Sequence, residues 1–174
     1  LAIWWITAKG LPDFVLPGPQ AVAKRLLELL ADKEFLDNAL VSTIRVVLSV
    51  FIACAIGGVL ALIANTAPVF EGIISERIKP FLNSFPSIGW AILASIWFKA
   101  GDFGVIFVQV AILIPFCLIN IDQGFRSIDK ELLEMGRSFT RASARVWLKI
   151  NLRLLMPFIL AAIKISYGIA LKIA

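Results

Sequence analysis

Long stretches without a charged residue constrain this chain more than any other feature. Three of them, Val46 to Ile63, Phe81 to Phe98 and Phe103 to Ile121, approach the ~20 apolar residues that an α-helix needs to cross a bilayer core. A fourth, Leu154 to Leu171, is interrupted only by Lys164. Helices at the surface of a soluble domain carry a polar face, and these runs have none. The pattern therefore predicts an all-α, polytopic helical membrane protein.

The composition excludes several classes of function. The chain contains no histidine, and Cys54 and Cys117 both lie in apolar runs, which favours buried thiols over a disulfide or a metal site. The sequence has no Gly-rich phosphate loop ending in Gly-Lys-Ser or Gly-Lys-Thr, so it is not expected to hydrolyse ATP. We therefore expect no cofactor, no metal and no enzymatic activity. The net charge of +5 is attributed to membrane topology, and no nucleic-acid partner is expected.

An amphipathic helix is expected near the N-terminus. The sequence Pro17-Gly18-Pro19 interrupts the chain, and apolar residues then recur at helical spacing opposite charged ones, as in a helix that lies on a surface. The apolar positions are Val22, Leu26, Leu29 and Leu30, and the charged ones are Lys24, Arg25, Glu28 and Asp32.

Residues 1–174 are interpreted as one transmembrane domain. The first residues, LAIWWITA, are typical of the last turns of a helix, and the chain begins without Met and stops at Ala174. We expect a partial domain that lacks helix at both ends.

The basic residues predict the orientation. Between Ile121 and Arg153 there are seven basic residues and four acidic ones, the largest basic excess in the chain. Because cytoplasmic loops are enriched in Lys and Arg, loop 122–153 is predicted to be cytoplasmic. Counting back through the spans places Asn65 to Lys79 inside, Lys99 to Asp102 outside and the amphipathic helix outside.

Within loop 122–153 we expect two short helices joined by a bend. Asp129 is a candidate N-cap, and Ile128 and Leu133 occupy the two positions of a hydrophobic staple. The first helix has an apolar face formed by Leu132, Met135, Gly136 and Phe139. A second apolar stripe follows the potential cap residues Thr140 to Ser143 and consists of Val146, Trp147, Ile150 and Leu154. The basic residues at intervals of four indicate either a solvated face near headgroups or a docking surface.

This loop resembles the cytoplasmic loop of the permeases of binding-protein-dependent ABC importers. In "ELLEMGRSF", Glu134 matches the Glu of the family's Glu-Ala-Ala motif, with Met135 and Gly136 in the two Ala places. The later matches are Trp147 in the Phe place, Leu152 on the Leu and Pro157 on the second proline. Two residues depart from the pattern, since Thr140 replaces a Gly and Arg153 replaces the first Pro. A side chain at residue 140 is costly if the turn there requires a positive φ.

The resemblance extends along nearly the whole chain. The collinear elements are "LPGPQAV", "STIRVVLSVFIACAIGGVLAL" with Arg45, "FPSIGWAILASIWFKAG", "GFRSIDKELLE", and "IKISYG" with Lys164 in the family's Arg place. Together they are similar to the nitrate, sulfonate and taurine branch of these permeases, which has the MetI-like fold. The transported substrate is not specified by any of them.

The resemblance implies a multi-pass permease subunit of the bacterial inner (plasma) membrane. Its implied partners are a second permease subunit in a homodimer, two ATP-binding subunits, an extracytoplasmic substrate-binding protein and the membrane lipid. The helix at 129–139 would be the coupling helix that docks on the ATPase. The residues assigned to this docking are Leu132, Glu134, Met135, Gly136, Arg137, Phe139 and Thr140.

The translocation path is predicted less directly. Lys164 is a candidate for the path or its gate, because a lysine in a span faces the bundle interior or snorkels to an interface. Asn83 and Ser87 are further candidates, although small polar residues also serve helix packing. A secondary transporter or channel is the alternative class. It is disfavoured because the three uncharged runs contain no ionisable group near the midplane.

Overall fold

The computed structural model describes residues 2–10, 12, 15–99, 101–139 and 147–173. The chain divides into two compact units, Leu1–Thr43 and Ile44–Ala174, and each is described by itself. The described residues of both units are helical or lie in the turns between helices.

The first unit contains the predicted amphipathic helix. Helix α1 (Ala2–Lys9) is followed by α2 (Pro19–Ala31), and α3 begins at Lys33. Proline suits the first turn of α2, where its missing N–H would have no partner in any case. None of the described residues of α2 is buried; Val22, Leu26 and Leu30 are exposed and Leu29 is half-buried. A helix therefore forms where the sequence predicts one, and its position on a surface stays a prediction.

Three long apolar helices dominate the second unit. They are α3 (Lys33–Ala64), which starts in the first unit, α7 (Asp102–Arg126) and a C-terminal helix (Leu152–Ile173). Each is long and apolar enough to cross a membrane. This agrees with three of the four predicted spans. Pro115 and Pro157 lie inside continuous helices, as neighbouring helices in a membrane protein allow.

The predicted span Phe81 to Phe98 is not one straight helix. Short helices α4 (Pro68–Gly72) and α5 (Lys79–Ser84) flank a π-helical segment, π1 (Ile73–Ile78), and α6 runs from Ser87 to Phe98. The chain bends by 79° between Ser84 and Ser87. Phe85 is extended (φ −78°, ψ 120°) because the residue before a proline is disfavoured in the α region. Pro86 therefore breaks the run, and the uncharged stretch is divided between two helices.

After α7 the chain forms α8 (Lys130–Phe139), a π-helical turn, π2 (Trp147–Asn151), and the C-terminal helix, α9 (Leu152–Ile173). Thr140 and the rest of the predicted bend lie outside the described residues. The start of α8 agrees with the predicted helix boundary to one residue.

Helices α3 and α7 run parallel and pack at close range. A Cβ atom added to Gly57 would lie 2.8 Å from the Cβ of Cys117 and 2.8 Å from the backbone nitrogen of Leu118. A buried cluster joins α3, α7 and α9 and contains Val46, Val50, Ala53, Leu113, Cys117 and Ala170. A second joins the same helices to π1 and contains Ala61, Ala64, Ile74, Leu118, Ile121 and Ala162. Small residues in these clusters bring the helix backbones together, as is usual in membrane bundles.

Candidate functional site

Helix α8 begins where its sequence predicts and exposes apolar side chains. The backbone N–H of Glu131 donates to Oδ1 of Asp129 over 2.9 Å, which confirms Asp129 as the N-cap. Leu132 is 40% exposed and Met135 54% exposed, on a helix that is otherwise rich in charge. The two side chains are three residues apart, so they are neighbours on one face of the helix.

Several predicted docking residues cannot be placed beyond their backbone. Gly136, Arg137 and Phe139 belong to α8, but only their helical backbone is described. Thr140 lies outside it altogether. The side chain of Leu133, one half of the predicted staple, is likewise not described. Arg153, which stands in the place of the family's proline, lies in the first turn of α9.

A buried carboxylate lies at the start of loop 122–153. Asp122, in the last turns of α7, is 2% exposed. It accepts hydrogen bonds from Nε of Arg126 over 2.9 Å and from Nδ2 of Asn65 over 3.0 Å, and it pairs with Nζ of Lys79. Three donors from three parts of the chain thus converge on one side chain. A buried carboxylate is stable only when its charge is paired and its oxygens accept hydrogen bonds, as those of Asp122 do.

Arg126 extends this arrangement outward. Its guanidinium forms an ion pair with Oε1 of Glu71 over 2.9 Å and donates to Oγ of Ser75 over 3.2 Å. The residues Asn65, Glu71, Ser75, Lys79, Asp122 and Arg126 are called the Asp122 cluster below. Its two acidic and two basic residues balance one another. The cluster joins the chain just after α3, the segment α4-π1-α5, and the end of α7.

Sequence reasoning missed the Asp122 cluster. It assigned Asp122 and Arg126 to the charged loop and interpreted Asn65 to Lys79 as a connection between spans. One signal was available, because Asp122 and Arg126 are four residues apart and such a pair meets on a helix. Lys79 and Asn65, which are 43 and 57 residues away from Asp122, could not be identified in this way.

Polar groups also meet at the opposite end of the helices. Arg45 of α3 forms an ion pair with Asp102 at the start of α7. Deeper in the second unit, Ser49 and Gln109 are fully buried, and their side-chain polar atoms have no hydrogen-bond partner among the described residues. Their burial favours the packing interpretation over a role in an open path.

Both cysteines are unpaired in the structure, with Cys117 buried and Cys54 half-buried. Sγ of Cys117 lies 2.9 Å from Sγ of Cys54 and 3.2 Å from Oγ of Ser166. These contacts connect α3, α7 and α9 through small polarizable groups. They serve packing between the helices.

Two of the three predicted path residues lie together. Asn83 and Ser87 are exposed and line a cavity of about 160 Å³ at the break between α5 and α6. Phe85, Trp90 and Pro115 are among its other lining residues. Lys164 is exposed on α9 and is not among the residues that line this cavity. The structure therefore brings Asn83 and Ser87 into one place and leaves Lys164 elsewhere.

Three long apolar helices and a broken helix pair define a multi-pass helical membrane protein. The family model described as binding-protein-dependent transport system inner membrane component matches residues 29–174. The chain belongs to this family. The family description and the apolar helices confirm the predicted multi-pass inner-membrane location.

Individual relatives agree with the family. The taurine transport system permease protein of Escherichia coli strain K12 is 25% identical over 177 residues, covering 97% of this chain and 64% of its own length. A second protein of that strain, provisionally named an aliphatic sulfonates transport permease, is 26% identical over 172 residues, covering 97% and 65%. A Methanocaldococcus jannaschii protein provisionally named an ABC transporter permease is 24% identical and covers 98% and 65%.

The chain thus spans slightly less than two thirds of the length of these relatives. Their names confirm the resemblance to ABC permeases of the branch that includes taurine and sulfonate proteins. Neither the family nor these relatives support the alternative of a secondary transporter or channel.

Proposed function

We propose that this chain is the transmembrane portion of an ABC importer permease that passes a small solute through the inner membrane and is driven by a separate ATPase. The observation that carries the proposal is α8, a capped helix with exposed Leu132 and Met135, in a chain of this family. Residues 1–174 would form one transmembrane domain, with the loop 122–153 on the cytoplasmic side.

Helix α8 is proposed as the coupling helix. Leu132, Met135 and Phe139 would enter a groove on the ATPase, and Gly136 would permit close approach. Glu134 and Arg137 would make charged contacts at the rim, and Thr140 would follow at the turn. The exposure of Leu132 and Met135 supports this role, because covering exposed apolar area on a partner is favourable.

The complex would contain a second copy of the permease, two ATP-binding subunits and an extracytoplasmic binding protein. Two permease copies would enclose the path between them. Asn83 and Ser87 are proposed to line it at the α5–α6 break. Lys164, exposed on α9, is proposed to contribute to the path or its gate, with snorkelling to the headgroups as the alternative. A small sulfonate is the proposed substrate class, because two relatives are named for taurine and sulfonates.

The test is to reconstitute the full-length permease with its ATPase and to compare Met135→Asp with Ser138→Asp. Both residues are exposed on α8, but only Met135 belongs to the apolar face. A charge at a docked apolar position is expected to weaken association by about 2 kcal/mol, or roughly thirtyfold. Co-purification and substrate-stimulated ATP hydrolysis are the measurements.

Normal association and stimulation in the Met135→Asp complex would contradict the docking assignment, whereas retained association with lost stimulation would move the role of α8 from docking to transmission. Gly136→Leu provides an independent variant, because a larger side chain at a close contact is expected to push α8 out of the groove. The substrate class is tested in the same vesicles by competition of taurine uptake with nitrate and with an aliphatic sulfonate.

A further inference from the structure

The Asp122 cluster is placed between the proposed docking element and the proposed path. Only residues 127–129 separate the end of α7 from the start of α8. Those residues are tied back to α7, since the N–H of Ser127 donates to the carbonyl of Gln123 over 3.0 Å and its Oγ donates to the carbonyl of Gly124 over 2.9 Å. A displacement of α8 is therefore passed to the last turns of α7, which carry Asp122 and Arg126.

The other side of the cluster leads to the helix break. Lys79 is the first residue of α5, and Asn83 lies four residues later, about 6 Å along the helix axis at 1.5 Å per residue. Asn83 lines the cavity at the break together with Ser87. A shift of Lys79 is therefore carried by one rigid helical turn to the residues proposed to line the path.

The inner part of the cluster is suited to carry a displacement. The side chains of Asp122 and Lys79 are 3% and 17% exposed, whereas Arg126 and Glu71 are 46% and 48% exposed. Water screens the outer pair and competes with it, so it couples weakly. Separating the inner pair takes from the buried Asp122 the one donor that α5 supplies, and it leaves Arg126 of α7 and Asn65 as the remaining partners of the carboxylate. Loss of a partner from a buried ion pair is costly.

The backbone is irregular on both sides of α5, where a short helix can change its position relative to its neighbours. Segment π1 lies directly before Lys79, and π-helical turns inside α-helices occur frequently at functional sites. Six residues after Lys79 the chain leaves the helix at Phe85 and bends by 79°. Helix α5 is therefore a short rigid element between two irregular segments, held to α7 by the ion pair of Lys79 with Asp122.

We propose that the Asp122 cluster is the joint through which a displacement of α8 reaches the α5–α6 break, with Asp122 and Lys79 as positioning residues of the transport cycle. The proposal rests on the proposed function, because it requires the ATPase to move α8. Neither Lys79 nor Asp122 lines the cavity at the α5–α6 break. They act by making α7 and α5 move as one body.

The experiment uses the full-length permease in complex with its ATPase, with Cys54 and Cys117 replaced by alanine. A spin label is attached at Ser138 on α8 or at Ile88 on α6, both of which are exposed. The change in label mobility on ATP binding is recorded for the parent and for three variants of Lys79 and Asp122. These are Lys79→Gln, which removes the charge but keeps a donor, Asp122→Asn, and the conservative Lys79→Arg. Glu76→Gln, at an exposed acid of π1, is the matched charge control.

In the parent, Lys79→Arg and Glu76→Gln complexes, both labels are expected to respond to ATP. In Lys79→Gln and Asp122→Asn the response at Ile88 is expected to fall about fivefold or more, while the response at Ser138 is retained. An unchanged response at Ile88 in Lys79→Gln would contradict the proposed role of the Asp122 cluster. An equal loss of response at Ile88 and Ser138 would also contradict it, because such a loss indicates a merely structural role. Failure of the parent permease to associate with the ATPase would instead refute the proposed function. The proposed role of the Asp122 cluster would then be refuted as well, because it requires the ATPase to move α8.

Discussion

At the scale of single residues, the packing of this chain depends on glycines that admit a neighbouring helix. Gly57 of α3 meets Cys117 and Leu118 of α7, and Gly124 of α7 meets Phe158 and Leu155 of α9. A Cβ at Gly124 would lie 2.9 Å from Phe158 Cβ, closer than carbon atoms approach without a shift. Gly58, the neighbour of Gly57, has more room, since a Cβ there would meet only the end of the Ile121 side chain at 3.5 Å.

Gly57→Ala is therefore expected to destabilise the bundle, whereas Gly58→Ala is expected to be nearly neutral. The added methyl at residue 57 would press on the backbone of α7, which cannot yield as a flexible side chain can, and overpacking of this kind costs about 1–3 kcal/mol. The thermal unfolding midpoint of the purified permease in detergent is the measurement. Equal midpoints for the two variants would show that the close approach of α3 and α7 does not contribute to stability.

At the scale of elements, local signals set where helices start and where they break. Asp129 starts α8 by accepting the N–H of Glu131, and Pro86 separates α5 from α6. Pro115, which is buried, and Pro157, which is exposed, both lie within continuous helices. The same residue type thus has different effects at different places in the chain.

Removing the cap should loosen α8 without changing the rest of the bundle. Asp129→Ala is expected to cost about 1 kcal/mol of local helix stability, since a free N–H remains at the helix start. Asp129→Asn keeps a side-chain acceptor and serves as the control. Amide hydrogen exchange of residues 131–133 is the measurement, with roughly fivefold faster exchange expected in Asp129→Ala alone. Identical exchange in both variants would refute the assigned cap.

At the scale of the whole molecule, apolar exposure and charge distribution determine the relation to the membrane. In the second unit large apolar side chains on the surface include Phe51, Val59, Leu160 and Leu171, each more than half exposed. A surface of this kind is unfavourable in water and suits the hydrocarbon interior of a membrane. The basic excess in loop 122–153 predicts which end of the helices faces the cytoplasm.

This orientation predicts opposite labelling at the two ends of α7. A cysteine at Ser138 in the loop is expected to be protected from an impermeant thiol reagent applied to intact cells, whereas a cysteine at Gly101 is expected to react. Gly101 is exposed and has an extended backbone (φ 176°) that any residue adopts. Disruption of the membrane should make Ser138→Cys reactive, which controls for accessibility. Strong labelling of Ser138→Cys in intact cells would show that the orientation is the reverse of the predicted one.

The sequence by itself determined the membrane class, three of the long helices, the amphipathic α2, the cap of α8 and the family. These properties depend on residues close together in the chain, because hydropathy, periodicity and capping act within one helix. The tertiary structure decided the Asp122 cluster and the 79° angle between α5 and α6, whereas the break itself follows from the local effect of Pro86 on Phe85. The cluster depends on Lys79 and Asn65, 43 and 57 residues from Asp122. Pairings at that separation are set by how the helices pack against one another, and local patterns carry no information about them.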